Sequence, residues 1–231
     1  MPIYTASPAL KGLDKEERTP NELLNSVREK PLLYPHGTKL TYNNTGYVLL
    51  GLLIENASGL SYARFIQERI LDRLGMKDSG FDFTHKIIAR KAQGYTLVGN
   101  ELQNADFVDA TTAWSAGGLY STVHDLTLWS DALAQGKLLN SESTERIYRV
   151  YPETILQGMH YGYGIVLAER FGHKLQYHSG GITGYNSVLQ RYPDLRVVVA
   201  VLSNLDSDSD VLPSWTLGDG LAKIWFEAQS H

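Results

Sequence analysis

Tyr161–Ser203 reads YGYGIVLAERFGHKLQYHSGGITGYNSVLQRYPDLRVVVAVLS. Within it, the runs Tyr161 to Ala168, Lys174 to Ser179, Tyr185 to Tyr192 and Leu195 to Ser203 are short, rich in β-branched and aromatic residues, and separated by Gly, Pro or Asp. Connections this short join strands antiparallel, because a parallel pair needs a crossover of about a dozen residues or more. The stretch predicts an antiparallel meander. Beyond it, Val211 to Phe226 places Leu221, Ile224 and Trp225 on one helical face and predicts a closing helix, against the poor helix propensity of Pro213, Gly218 and Gly220.

Upstream the pattern is helical. Thr19 followed by Pro20 reads as a cap and a first helical turn, with Glu22 placed where the helix dipole favours an anion, and that helix is expected to end near Lys30-Pro31. From Thr45, Val48, Leu49, Leu52 and Leu53 recur at helical spacing up to a stop at Ala57-Ser58-Gly59. Ser61 caps a further helix over Tyr62 to Leu74, closed by Gly75, and Thr122-Val123-His124-Asp125 opens another through Leu133 to Gly136. The expectation is an α/β (α+β) fold in one domain over residues 1–231, with a mainly helical lobe at 1–150 and antiparallel strands plus a C-terminal helix at 151–231.

Composition removes several function classes. The 231 residues carry a formal net charge of −4 and no Lys/Arg-rich run that could neutralise a phosphate backbone, so no nucleic-acid partner is expected. Tyr47 to Ile54 and Val197 to Leu202 are far short of the roughly 20 apolar residues of a membrane span. With zero cysteines there is no disulfide, thiolate metal site or cysteine nucleophile. No metal and no cofactor is expected. Met1-Pro2-Ile3-Tyr4-Thr5 lacks the basic and apolar regions of a secretory signal, which points to the cytoplasm for the chain as it stands, and to periplasm or secretion if the start lies upstream.

Two pieces carry chemistry. Tyr42-Asn43-Asn44-Thr45-Gly46-Tyr47 opens a helix with a phenol and a carboxamide near each other. Far downstream, His178-Ser179-Gly180-Gly181 sets an imidazole beside a backbone stripped of side chains. Together they suggest acyl transfer, with no nucleophile of their own.

Four strings in register resemble the β-lactamase-related serine hydrolases, which include class C β-lactamases, D-Ala-D-Ala carboxypeptidases, D-aminopeptidases and esterases. They are Tyr42-Asn43-Asn44-Thr45-Gly46-Tyr47-Val48-Leu49-Leu50-Gly51, Leu74-Gly75-Met76-Lys77-Asp78-Ser79-Gly80, Ala116-Gly117-Gly118-Leu119-Tyr120-Ser121-Thr122 and His178-Ser179-Gly180-Gly181. The resemblance implies a helical lobe with an antiparallel sheet and hydrolysis of a small ester, amide or peptide through an acyl-enzyme. It also implies a Ser-x-x-Lys nucleophile motif, and no lysine of this sequence follows a serine at that spacing. Because the family places that motif upstream, the expectation is a start truncated at an internal methionine, without the family's first helix and strands and inactive alone.

By resemblance Tyr42 is the proton shuttle, Asn44 a hydrogen-bond partner of substrate carbonyl or lysine, and His178 stands where the family more often has the Lys of Lys-Thr-Gly. Ser179, Gly180 and Gly181 line the substrate, with the Gly181 N–H as one half of an oxyanion hole. His in place of Lys moves the balance away from β-lactam hydrolysis toward peptidase or esterase relatives. The rival reading is a non-catalytic binding protein that keeps the cleft. Missing strands would also expose sheet surface through which chains could self-associate. Asp206-Ser207-Asp208-Ser209-Asp210 begins like a calcium loop but has Val211 and Leu217 where Gly and Glu belong, so it reads as a solvated turn.

Overall fold

Local capping sets the helices of the first half. In the computed structural model, which describes residues 3–6, 15–151, 155–156, 159–206 and 213–229, the elements in chain order begin with α1 (Pro20–Asn25), α2 (Asn44–Ser58), α3 (Tyr62–Ile66) and α4 (Asp72–Leu74). They continue with β1 (Gly80–Phe81), β2 (Tyr95–Val98), β3 (Glu101–Asn104), β4 (Leu119–Tyr120), α5 (Val123–Ala134) and α6 (Ser141–Ile147). The rest are β5 (Ile155–Leu156), β6 (Met159–Tyr161), β7 (Val166–Arg170), β8 (His173–Ile182), β9 (Tyr185–Tyr192), β10 (Val197–Ser203) and α7 (Pro213–Gln229). They group into two units, one of Met1–Lys91 with Phe107–Ser121, the other of Ala92–Asp106 with Thr122–His231.

In the first unit Thr19 and Glu22 form a reciprocal capping box, the Glu22 carboxylate accepting the Thr19 N–H at 2.7 Å. The helix stops at Asn25, short of Lys30. The Ser26 hydroxyl donates to the Leu23 carbonyl, and Val27 and Lys30 donate to carbonyls three residues back, so the chain tightens out of α geometry. Asn43 caps α2 by accepting the Thr45 N–H at 2.8 Å, and Gly59 ends it at φ 69°. The side that α2 buries carries Thr45, Val48 and Gly51, while Leu49, Leu50 and Leu53 stay exposed. Gly51 explains the choice: a Cβ there would lie 2.7 Å from the Trp114 ring, so the bare backbone is what allows α2 to seat on the turn at Trp114–Ala116. The Ser115 hydroxyl completes that contact by donating to the Tyr47 carbonyl at 2.9 Å. The helix expected from Tyr62 to Leu74 is continuous but widens to a π turn over Gln67–Leu71.

The second unit holds the meander. Its sheet runs β10-β9-β8-β7-β6-β5, every neighbouring pair antiparallel. The expected single strand Tyr161 to Ala168 is in fact two: β6 ends at Tyr161, Gly162 N–H bonds the Ile165 carbonyl at 2.8 Å, and Gly164 at φ 81° turns the chain into β7. The hairpin β2–β3 turns through Gly99 at φ 63° followed by Asn100.

β9 alternates strictly: Asn186, Val188, Gln190 and Tyr192 are buried and their neighbours are not. The buried set faces α7, where the small residues Ser214, Gly218 and Ala222 form the seam and a Cβ on Gly218 would meet Val188 at 3.0 Å. The Tyr177 ring packs tilted at 59° against Trp215 and the Tyr192 ring meets Phe226 edge-on at 84°, 4.7 and 5.0 Å between centroids. On the opposite face Arg191 reaches α5, pairing with Asp131 at 2.7 Å. Pro213 is tolerated because it sits at the first position of α7, where its missing N–H has no helical partner to lose. Most of the expected Asp206–Asp210 turn lies outside the described residues. No helix among those described is long and apolar enough to cross a membrane.

These glycines give a paired prediction. Gly51→Ala should lower unfolding stability by about 1–3 kcal/mol through overpacking. Gly220→Ala, on α7 with no atom within 4 Å of the new Cβ, should raise it by about 0.5–1 kcal/mol. Urea melts of the two variants beside the parent measure both.

Candidate active site

The first unit positions Tyr42 and Asn44. Thr45 is fully buried, and its hydroxyl oxygen accepts the Tyr4 N–H at 2.9 Å, while the Tyr4 hydroxyl donates to the Thr112 carbonyl at 2.7 Å. That ties the start of α2 to Tyr4, and Tyr4 in turn to Thr112. Asn44 is the first residue of the helix and is partly buried. Tyr42 lies in the extended segment just before the cap, 37% exposed, with its ring 5.7 Å from that of Tyr47. Burial, and then the neighbouring Tyr47 phenol, push the Tyr42 pKa above its ordinary 10. Near neutrality Tyr42 is therefore a phenol, suited to donating a proton, and it can become a base only when a cation stabilises the phenolate.

The second unit carries His178, Ser179, Gly180 and Gly181 together on β8, paired with Leu189, Val188, Ser187 and Asn186 of β9. His178 shares a sheet face with Arg191, its cross-strand partner Leu189 being two residues away from it. A Cβ on Gly180 would come within 2.9 Å of the Ser187 hydroxyl, whereas Gly181 is exposed. At Gly181 the strand presents bare backbone to the exterior. His178 is held at both ring nitrogens: Nδ1 lies 2.6 Å from the Ser179 carbonyl oxygen and Nε2 lies 2.9 Å from the Tyr161 hydroxyl. Burial pushes its pKa below the ordinary 6.5, partly offset by the hydrogen bond to the Ser179 carbonyl. Beside it is a cavity of about 70 Å³, lined in part by Trp129, Leu133, Tyr148, Ile165 and Arg191.

The expected residues thus divide between the units, Tyr42 and Asn44 in one and His178 to Gly181 in the other. Among the described residues no three His, Asp or Glu side chains are placed to hold a metal ion. Sequence reasoning missed Tyr161, which touches His178. Its only signal is the Tyr161-Gly162-Tyr163-Gly164 turn sequence, and nothing there names the partner.

The profile of the Beta-lactamase family matches residues 1–221. Penicillin-binding protein 4* of Bacillus subtilis is 31% identical over 183 residues, which is 73% of this chain and 40% of that protein. The chain therefore spans less than half the length of that relative. Among solved structures, a penicillin binding protein from Bacillus halodurans superposes with a TM-score of 0.80 at 24% identity, over 97% of this chain and 68% of its own. A D-amino acid amidase from Ochrobactrum anthropi SV3, complexed with L-phenylalanine amide, gives a TM-score of 0.80 at 25% identity over 93% of this chain and 65% of its own. The helices and antiparallel sheet described above have the β-lactamase and transpeptidase-like architecture of these neighbours. With the profile running over almost the whole sequence, the chain belongs to the Beta-lactamase family of β-lactamase-related serine hydrolases.

Proposed function

We propose that this chain carries the proton-handling and oxyanion-binding parts of a hydrolase that cleaves an ester, amide or D-amino-acid peptide through an acyl-enzyme. The observation that carries the reading is a Tyr-x-Asn helix start and a His-Ser-Gly-Gly strand in a member of this family. The amidase neighbour, complexed with an amino-acid amide, supports the substrate class.

In this reaction the serine hydroxyl gives its proton to the activating lysine as its oxygen attacks the substrate carbonyl carbon; the carbonyl oxygen takes the negative charge, the C–O or C–N bond breaks as the leaving group takes a proton from Tyr42, and the proton held by the lysine restores the Tyr42 phenol. Water then releases the acyl group. No Ser-x-x-Lys lies within these 231 residues, so in this proposal the serine and its activating lysine are supplied from elsewhere. Tyr42, a phenol whose pKa is raised, donates the proton to the leaving group. Asn44 hydrogen-bonds the substrate carbonyl or the lysine. The N–H of Gly181 supplies one oxyanion donor, a contribution of about 10²–10³ in rate in comparable sites. His178, with Ser179 and Gly180, orients the substrate.

The lack of Ser-x-x-Lys favours a second reading, a binding protein that keeps the cleft without the nucleophile. A fluorophosphonate probe separates the two. The 231-residue chain should remain unlabelled, and the product expressed with the source's own upstream coding sequence should be labelled at one serine. Tyr42→Phe in that longer product should slow acylation by about 10²-fold or more. A longer product that takes no label, yet binds amide ligands in a way weakened by His178→Ala, would establish the binding protein instead.

The depressed His178 pKa makes a separate prediction. Because the unfolded imidazole titrates near 6.5 and the folded one lower, the unfolded chain binds more protons below 6.5. The stability linked to His178 is complete above pH 6.5 and is lost as pH falls from 6.5 through the folded value. Denaturant melts between pH 7.5 and 5 should show this decline, and His178→Gln should remove that component of it.

A further inference from the structure

We propose that Tyr161 is a positioning residue for His178: its hydroxyl donates to Nε2 and, with the Ser179 carbonyl on Nδ1, fixes the ring in a single tautomer on β8. The proposal rests on the reading of His178 as a site residue and deepens it.

What each partner can donate or accept decides where the proton sits. A carbonyl oxygen only accepts, so the 2.6 Å contact to Ser179 puts the proton on Nδ1. In the neutral ring Nε2 then holds a lone pair, and the Tyr161 hydroxyl, 2.9 Å away, is the donor. This is the less common neutral form, selected by both contacts at once. Tyr161 is itself only 9% exposed, and its ring meets the imidazole edge-on at 81° with 5.9 Å between centroids. Its backbone is paired to Val166 of β7 and leads directly into the Gly162–Ile165 turn, so the phenol comes from a fixed point of the sheet.

The other titratable or charged groups around the ring leave this arrangement in place. Arg191 of β9 lines the same cavity, and its charge is matched by Asp131 of α5 at 2.7 Å. Tyr148, at the end of α6, and Tyr177, on β8 itself, also line it, and burial raises the pKa of each, so both are neutral phenols. A ring held this way brings no positive charge to the strand near neutral pH. That suits the uncharged end of an ester or amide better than a free carboxylate, which would need a cation to meet it.

The experiment is an NMR titration of the ¹⁵N-histidine-labelled 231-residue chain, with His178 identified by its loss in His178→Gln. The wild type should show a neutral ring protonated at Nδ1. Tyr161→Phe keeps the aromatic packing, so a purely structural tyrosine would leave the imidazole unchanged. Loss of the donor to Nε2 should instead destabilise the neutral ring and raise the His178 pKa, with a matching change in the Nε2 resonance. A pKa that stays or falls in Tyr161→Phe, or a wild-type ring protonated at Nε2, overturns the proposal. Should the variant fail to fold, the wild-type Nε2 resonance decides: shifted upfield from that of a free imidazole lone pair, it accepts the Tyr161 hydrogen bond, and unshifted it overturns the proposal. No turnover is read, so a negative result leaves the acyl-transfer reading standing, and failed acylation leaves this one standing.

Discussion

The register of β8 on β9, running from Gln176 opposite Arg191 to Ile182 opposite Tyr185, governs which way the side chains of both strands point, His178 among them. Alternation leaves β9 no freedom, because Val188, Gln190 and Tyr192 are all but fully buried against α7 while Arg191 needs the carboxylate of Asp131 on the other face. A slip of one residue would drive the Arg191 guanidinium into the packed seam of α7 and turn Tyr192 outward. His178 inherits its orientation from this register. The same pairing lays Gly180 and Gly181 along the sheet, where a side chain at Gly180 would collide with Ser187.

A comparable constraint acts in the first unit, through close approach. The helix that begins at Asn44 can sit on the Trp114–Ala116 turn only because residue 51 is glycine, and its start is tied by Thr45 to the Tyr4 backbone and by Asn43 to its own first turn. Tyr42 therefore leaves a rigid helix end and not a loose loop. Its environment supplies burial and a second phenol, and both favour the protonated form.

Much of this is legible in the sequence because short-range chemistry decides it. Thr19 with Glu22, Asn43, Ser61, Thr122, Gly59, Gly75 and Gly136 mark helix ends through caps or left-handed turns that need no tertiary partner. The meander is legible for a similar reason, since Gly, Pro and Asp punctuate it at every reversal. What escapes is what depends on distant contacts. Helical spacing offers Leu49 and Leu53 of α2 for burial, yet a glycine sets which side packs. The break after Tyr161 depends on one hydrogen bond across Gly162–Ile165, and the Tyr161–His178 contact joins residues 17 apart across an intervening strand. The candidate site residues Tyr42, Asn44 and His178 stand out only through motif resemblance, because their residue types alone are equally at home in caps and strand ends.

The meander has a kinetic consequence. Each of the six strands pairs with its immediate neighbour in sequence, so closing the sheet requires only short loops, several of them two to four residues. Low separation between partners favours rapid formation, and the β8–β9 hairpin, with seven paired positions, is the natural nucleus for it. Helix α7 follows the last strand in the chain and packs on β9 and β10. During synthesis the sheet can thus be assembled before the helix that covers its buried face has left the ribosome, and for that interval Val188, Gln190 and Tyr192 face the solvent.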